Sequence, residues 1–207
     1  MTMLVWLLVL GLAPVGTSAS PDDRFAQIFN RTLLKQQSIH SVRARFTETT
    51  TSSLLATPLV AHGTLIGARP ARVRMTYTDP EAKTILIDSK TLTIVWPDRH
   101  EHEQIDIAET QKRIEQDFTH ASLDDLRAMF QIAIAPDTVV QGTDRIEMIP
   151  RRKSMKAGLA RLDLWINRET DLLVQLRLIF RGGDQKTITL DDIVVNVPVT
   201  DEMFTTP

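Results

Sequence analysis

The 207-residue chain carries 24 Lys and Arg against 26 Asp and Glu, a formal net charge of −2, and 43% of it is hydrophobic. That is the balance of a globular domain with a sizeable core, and it excludes a nucleic-acid binder held by a broad basic face. The absence of cysteine excludes a disulfide scaffold, a thiolate metal site and a cysteine nucleophile.

Leu4 to Gly16 is almost wholly apolar, and Thr17-Ser18-Ala19 follows as a small-x-small cleavage pattern. The run reads as a secretory signal peptide cleaved after Ala19, although Met1-Thr2-Met3 lacks the usual cation. It is shorter than the ~20 residues needed to span a bilayer. The expectation is an exported, soluble protein with a single domain over residues 20–207. No Cys follows the leader, so the protein is not expected to be a lipoprotein itself.

Pro21 to Gln37 reads as a helix: Asp22 and Asp23 suit a first turn, and Phe25, Ile28, Phe29, Thr32 and Leu33 form one stripe. From Ser41 the period falls to two. Val42, Ala44 and Phe46 alternate with Arg43, Arg45 and Thr47, and Val73, Met75 and Tyr77 alternate with Arg72, Arg74 and Thr76. Such alternation marks half-buried antiparallel strands. Gly63 to Gly67, Thr84 to Ile87, Leu92 to Trp96 and Glu101 to Ile107 supply further strands.

Ala108 to Ala133 breaks this pattern and reads as one or two helices. Ser122 with Asp125 resembles a capping box, and Leu123, Leu126, Met129 and Phe130 give the segment an apolar face, so Ser122 to Ile132 is expected to cover the sheet as a lid. Strands return at about 136–141, 144–149, 158–167, 171–181 and 184–195. Leu162, Leu164 and Ile166 share one face, opposite Arg161, Asp163 and Trp165.

The sum is an α+β domain, mainly β, of about eleven antiparallel strands with helices as the only cover. A sheet of that width curls, and a curled apolar face beneath helices encloses a cavity. Its expected lining is Val42, Phe46, Leu65, Val73, Met75, Tyr77, Leu162, Leu164 and Ile166.

Other signals are weaker. Asp98, His100 and His102 would share one face of a strand and suit zinc, but no fourth ligand accompanies them, and the bland reading is a solvated hairpin tip. His40, His62 and His120 stand alone, and there is no Gly-x-Ser-x-Gly elbow, so no enzyme activity is expected. Arg151-Arg152-Lys153-Ser154-Met155-Lys156 lacks the interleaved aromatics of a nucleic-acid patch. It reads as a solvated loop, or as a dock for an acidic partner or an anionic headgroup.

Gly63-Thr64-Leu65 followed by Arg69-Pro70-Ala71-Arg72-Val73-Arg74 resembles the outer-membrane lipoprotein carrier protein (LolA) family. Phe46-Thr47-Glu48, Asp79-Pro80, Asp88-Ser89-Lys90-Thr91-Leu92 with Pro97, and Asn196 to Pro207 with Phe204 follow the family in order. The resemblance implies an unclosed antiparallel β-barrel under an α-helical lid. It implies a periplasmic carrier of acylated lipoproteins or other lipids, loaded by an inner-membrane ABC transporter and discharged to an outer-membrane receptor. It implies no cofactor, no metal and no nucleic acid; a monomer is expected. Arg69 matches the family arginine that hydrogen-bonds to the lid, and Val73 a position beneath it. Met75 stands where the family often has Trp, and Ser89 where it has Gly, which thins the aromatic lining. Related proteins of this fold sense or carry other lipids, and a periplasmic lipid- or lipoprotein-binding sensor or interaction module is the alternative reading.

Overall fold

The computed structural model describes residues 24–88, 90–114, 122–135 and 139–206. The leader, the expected helix start at Pro21-Asp22-Asp23, and Ser89 and His120 lie outside them. The first helix, α1, is Arg24–Gln37 and buries Phe25, Ala26, Ile28 and Leu33, while Phe29 and Thr32 of the expected stripe are half-buried. Six strands follow: β1 Ser41–Thr51, β2 Leu59–Ala68, β3 Arg72–Asp79, β4 Lys83–Ile87, β5 Thr91–Trp96 and β6 Glu101–Asp106. Two helices come next, α2 Ala108–Ile114 and α3 Leu123–Met129. The chain then forms β7 Phe130–Ala135, β8 Thr143–Pro150, a short α4 Lys153–Lys156, β9 Leu159–Asn167, β10 Leu173–Phe180 and β11 Gln185–Val195.

All eleven strands join one antiparallel sheet in the order β6-β5-β4-β3-β2-β1-β11-β10-β9-β8-β7. β1 pairs with β2 on one side and β11 on the other, so the first and last strands meet at the sheet's centre. The edges β6 and β7 are consecutive strands, and the connection between them carries α2 and α3. A chain leaving one edge of the sheet to re-enter at the other has to run between the edges. The helical cover is therefore a consequence of strand order.

One apolar cluster fills the concave side. It joins Phe25 and Ile28 of α1 and Leu123, Leu126 and Met129 of α3 to strand residues such as Phe46, Leu65, Val73 and Ile188. At about 1.5–3 kcal/mol for each fully buried large aliphatic or aromatic side chain, this contact is the main force holding the helices on the sheet.

The helical reading of Ala108 to Ala133 needs correction at its end. α3 stops at Met129, and Phe130-Gln131-Ile132-Ala133-Ile134-Ala135 is an edge strand paired to β8. Phe130, Ile132 and Ile134 alternate with smaller or polar residues, a period of two that the capping box upstream obscured. The capping box itself forms: Ser122 Oγ accepts from Asp125 N at 3.2 Å and Asp125 Oδ2 accepts from Ser122 N at 2.9 Å. The strand expected at 136–141 is not found among the described residues, where 139–142 form a bend and turn ahead of β8.

The C-terminal segment is fixed by one amide. Asn196 adopts φ 59° as the chain leaves β11, and its side chain accepts from His40 N (2.8 Å) and donates to Ser38 O (3.0 Å). The tail then crosses the outer face of β3, where the Arg72 guanidinium lies 4.7 Å from the Phe204 ring centroid and 2.5 Å from Asp201 Oδ1.

Gly63 lets the centre of the sheet close-pack. A Cβ there would collide with the Thr76 carbonyl and come within 2.6 Å of the Phe46 ring. Gly63→Ala should destabilise the fold by about 1–3 kcal/mol, read as a lowered midpoint in urea denaturation.

Candidate functional site

The nine expected cavity residues all come to the concave side. Phe46, Leu65, Val73, Met75, Tyr77, Leu162 and Ile166 are buried in the apolar cluster, and Val42 and Leu164 pack against it half-buried. Strand register explains the convergence: Phe46 opposes Gly63, Leu65 opposes Met75, and Gly67 opposes Val73. Trp165, on the opposite face of β9, lies between the guanidiniums of Arg145 and Arg177, 5.3 and 5.2 Å from its ring. It therefore lends nothing to the lining.

Among the described residues, α1 and α3 pack directly on this face. A cavity of about 40 Å³ remains between the C-terminal end of α1 and strands β1, β2, β10 and β11, touched by Ile39, Val42, Ala44, Leu65 and Leu190. That is room for a few water molecules, not for an acyl chain. A chain entering at this point would have to displace α1.

Two inward-facing acids bound the apolar surface. Asp144 precedes Ile146 and Met148 on the same face of β8. It receives Arg24 of α1 at 2.7 Å, Arg31 of α1 at 3.4 Å and Arg168 at 2.9 Å. Burial alone would raise its carboxyl, but hydrogen bonds from Arg168 and Arg24, with their charges, outweigh that and hold it below the ordinary carboxylate range. Arg31 also reaches Asp171 at 2.8 Å. The second acid, Glu48, accepts from Tyr77 Oη at 3.0 Å and from Lys186 Nζ at 2.5 Å, while Lys83 Nζ lies 4.5 Å from the Tyr77 ring centroid. Burial, then the Glu48 carboxylate, pushes the Tyr77 phenol far above its usual range, so it stays a neutral donor.

Arg69 does reach helix backbone, but the helix is α1. Its Nη2 donates to the carbonyl of Gln36 in the last turn at 2.7 Å, an oxygen that also accepts from Ile39 N at 3.0 Å. The expected bond to the Ser122–Ile132 segment is thus corrected. α1 is latched at one end by Arg69 and along its length by Asp144 and Asp171, whereas α3 is held through buried Leu123, Leu126 and Met129. Phe130, expected in the lid, is a buried residue of β7. The weighed metal candidates, Asp98, His100 and His102, do not share a strand face. Asp98 lies in a 3₁₀ turn over Pro97–Arg99, His100 adopts φ 52°, and only His102 belongs to β6. No group of three or more potential ligands is found among the described residues.

Residues 37–207 match the family of the outer membrane lipoprotein carrier protein LolA. The chain belongs to this family of lipoprotein carriers. Solved structures share the fold: the Mycobacterium tuberculosis lipoprotein LppX aligns with a TM-score of 0.58 at 15% identity, over 86% of this chain and 98% of that one. An uncharacterized conserved protein from Thermus thermophilus aligns with a TM-score of 0.57 at 8% identity, over 88% of this chain and 94% of that one. MucB aligns with a TM-score of 0.50 at 10% identity, over 88% of this chain and 62% of that one. No curated protein matches in sequence.

Asp144 makes the α1 latch pH-dependent with a definite sign. A carboxyl whose folded pKa lies below its unfolded value of ~3.9 stabilises fully above that value and loses the contribution as pH falls through the lower one. Asp144→Asn should cost about 1–2 kcal/mol at neutral pH, given guanidiniums that are half exposed. The difference between variant and wild type should shrink steadily as pH falls below the unfolded carboxylate value of ~3.9. Thermal unfolding followed from neutral pH down through that value measures this.

Proposed function

We propose that the protein is an exported periplasmic carrier that shields the acyl chains of lipoproteins, taking them from an inner-membrane transporter and delivering them to an acceptor at the outer membrane. The observation that carries the reading is a broad concave apolar face covered by a helix held through a few polar latches. Each acyl methylene exposed to water costs about 0.8 kcal/mol, so a lipoprotein crossing an aqueous compartment needs such a cover. The family assignment supports the reading, and the leader fits it.

The closed arrangement gives the carrier its means of release. An acyl chain and a seated α1 compete for the same apolar face, so anything that stabilises the seat disfavours cargo. Arg69 is one such stabiliser. A charge-assisted hydrogen bond of about 1.5–3 kcal/mol biases the closed state roughly ten- to hundredfold. That is enough to promote discharge without forbidding loading.

Two measurements test this. Native mass spectrometry of protein purified from the cell envelope should find bound acylated species. Fluorescent fatty-acid titration should then give a dissociation constant lowered roughly tenfold or more by Arg69→Leu, with slower transfer to acceptor membranes. A folded wild-type protein that takes no acyl ligand would overturn the carrier reading. A folded Arg69→Leu protein with unchanged affinity would remove α1 as the gate. Tight binding with no transfer would instead favour a lipid sensor of the same fold.

A further inference from the structure

Both hairpin tips next to the sheet's centre project past the same end. β1 and β11 are paired as far as Thr51 opposite Gln185, so the β1–β2 tip and the β10–β11 tip stand side by side. The first is uncharged from Thr49 to Ala61 and presents Leu54 at 92% exposure, with Leu55 and Leu59 exposed beside it. The second presents Phe180 at 37% exposure. Single exposed apolar residues are ordinary, but four on two adjacent tips are a feature of this end of the fold.

The densest run of cations lies at the same end. Arg181 N donates to Gly158 O at 3.2 Å, which sets the β10–β11 tip against the segment that follows α4. Met155 packs α4 onto the core, and Arg151, Arg152, Lys153, Lys156 and Arg181 are all exposed. Asp184 in the tip and Asp125 near Arg152 offset only part of this charge. Acids outnumber cations farther along the rim instead: Asp79, Glu81, Asp98 and Glu101 stand at the β3–β4 and β5–β6 turns, against Lys83 and an Arg99 paired with Glu81. The rim is thus basic and apolar on one side and acidic on the other, while the whole chain is slightly acidic.

We propose that this rim docks the protein on the surface of an anionic lipid bilayer, with Leu54 and Leu55 entering the interface and Lys153, Lys156 and Arg181 meeting the headgroups. Apolar tips flanked by cations suit an interface that is greasy below a negative plane. The acidic half of the rim is repelled, so the protein sits tilted, the β6 edge lifted. The tilt presents the central strand ends to the bilayer. The proposal does not depend on an acyl chain occupying the concave face, so a failed fatty-acid titration leaves it standing.

The test uses the missing cysteines. With no native thiol, Ser53→Cys takes a single polarity-sensitive nitrobenzoxadiazole fluorophore at the tip. On vesicles of equal parts phosphatidylglycerol and phosphatidylcholine, its emission should rise severalfold and shift to the blue. On phosphatidylcholine alone the response should need at least tenfold more lipid. Each cation at an anionic surface is worth roughly fivefold in binding, so Lys153→Glu with Lys156→Glu should raise the half-saturating lipid concentration about twentyfold or more. Leu54→Asp, at a position with almost no packing to lose, should raise it severalfold. The same fluorophore at Val139→Cys, 85% exposed in the β7–β8 connection at the other end of the sheet, should stay silent. A silent Ser53 probe, equal responses on neutral and anionic vesicles, equal responses at both probe positions, or indifference to both sets of substitutions would each overturn the proposal.

Discussion

Covering one apolar face of an open eleven-stranded sheet is the constraint on which the rest of this structure depends. The face is too wide for one helix, and the sheet has no partner sheet to bury it. The strand order answers half the problem by sending the β6–β7 connection from edge to edge, which brings α3 onto the face through Leu123, Leu126 and Met129. The remainder falls to α1, which precedes the central strand and lies back across it. Hydrophobic burial is non-directional, so it drives the helices onto the sheet without fixing where each one sits.

Direction comes from the polar contacts. Asp144 and Asp171 receive α1 along its length, and Arg69 receives its end. Removing either kind of contact has different consequences. Loss of apolar packing costs the cover most of its affinity for the sheet, whereas loss of a latch lowers that affinity by the smaller worth of one polar contact and frees the position. An element held in this way sits toward the low-stability end of a fold, where the moving parts of proteins are found.

Much of this was legible in the sequence, for identifiable reasons. Alternation placed Val73, Met75 and Tyr77 on one face and Arg72 and Arg74 on the other, and the register agrees. The same rule applied to Phe46 and Ile146 makes Glu48 and Asp144 inward acids, which marks them as unusual even without knowledge of their partners. The partners themselves were not legible. Arg24 and Arg168 are 120 and 24 residues away from Asp144, and only folding brings them together. Arg69 donates to a helix carbonyl, and which helix it meets depends on the strand order. β7 was lost because one strong helix signal at Ser122 coloured the residues after it. Asn196 stood in a motif without a reason; the reason is a left-handed turn whose side chain must both accept and donate, which an amide does.

The chemistry of the lining follows from where the aromatic residues went. Trp165 is spent on the convex side, beside an Asp163 that is fully buried within reach of Arg145, Arg161 and Arg177. Inside, Phe46 and Tyr77 stack edge to face at 4.8 Å near the Glu48 pair, and most of the remaining surface is Leu, Ile, Val and Met. Aliphatic and thioether side chains offer a non-directional apolar surface with almost nothing polar to fix a ligand's orientation. Such a face holds a flexible hydrocarbon by the area it covers rather than by a fitted outline. Discrimination among cargoes then has to come from what lies at the border of that face, where Glu48, Lys186 and Lys83 stand at one end and the α1 latches at the other.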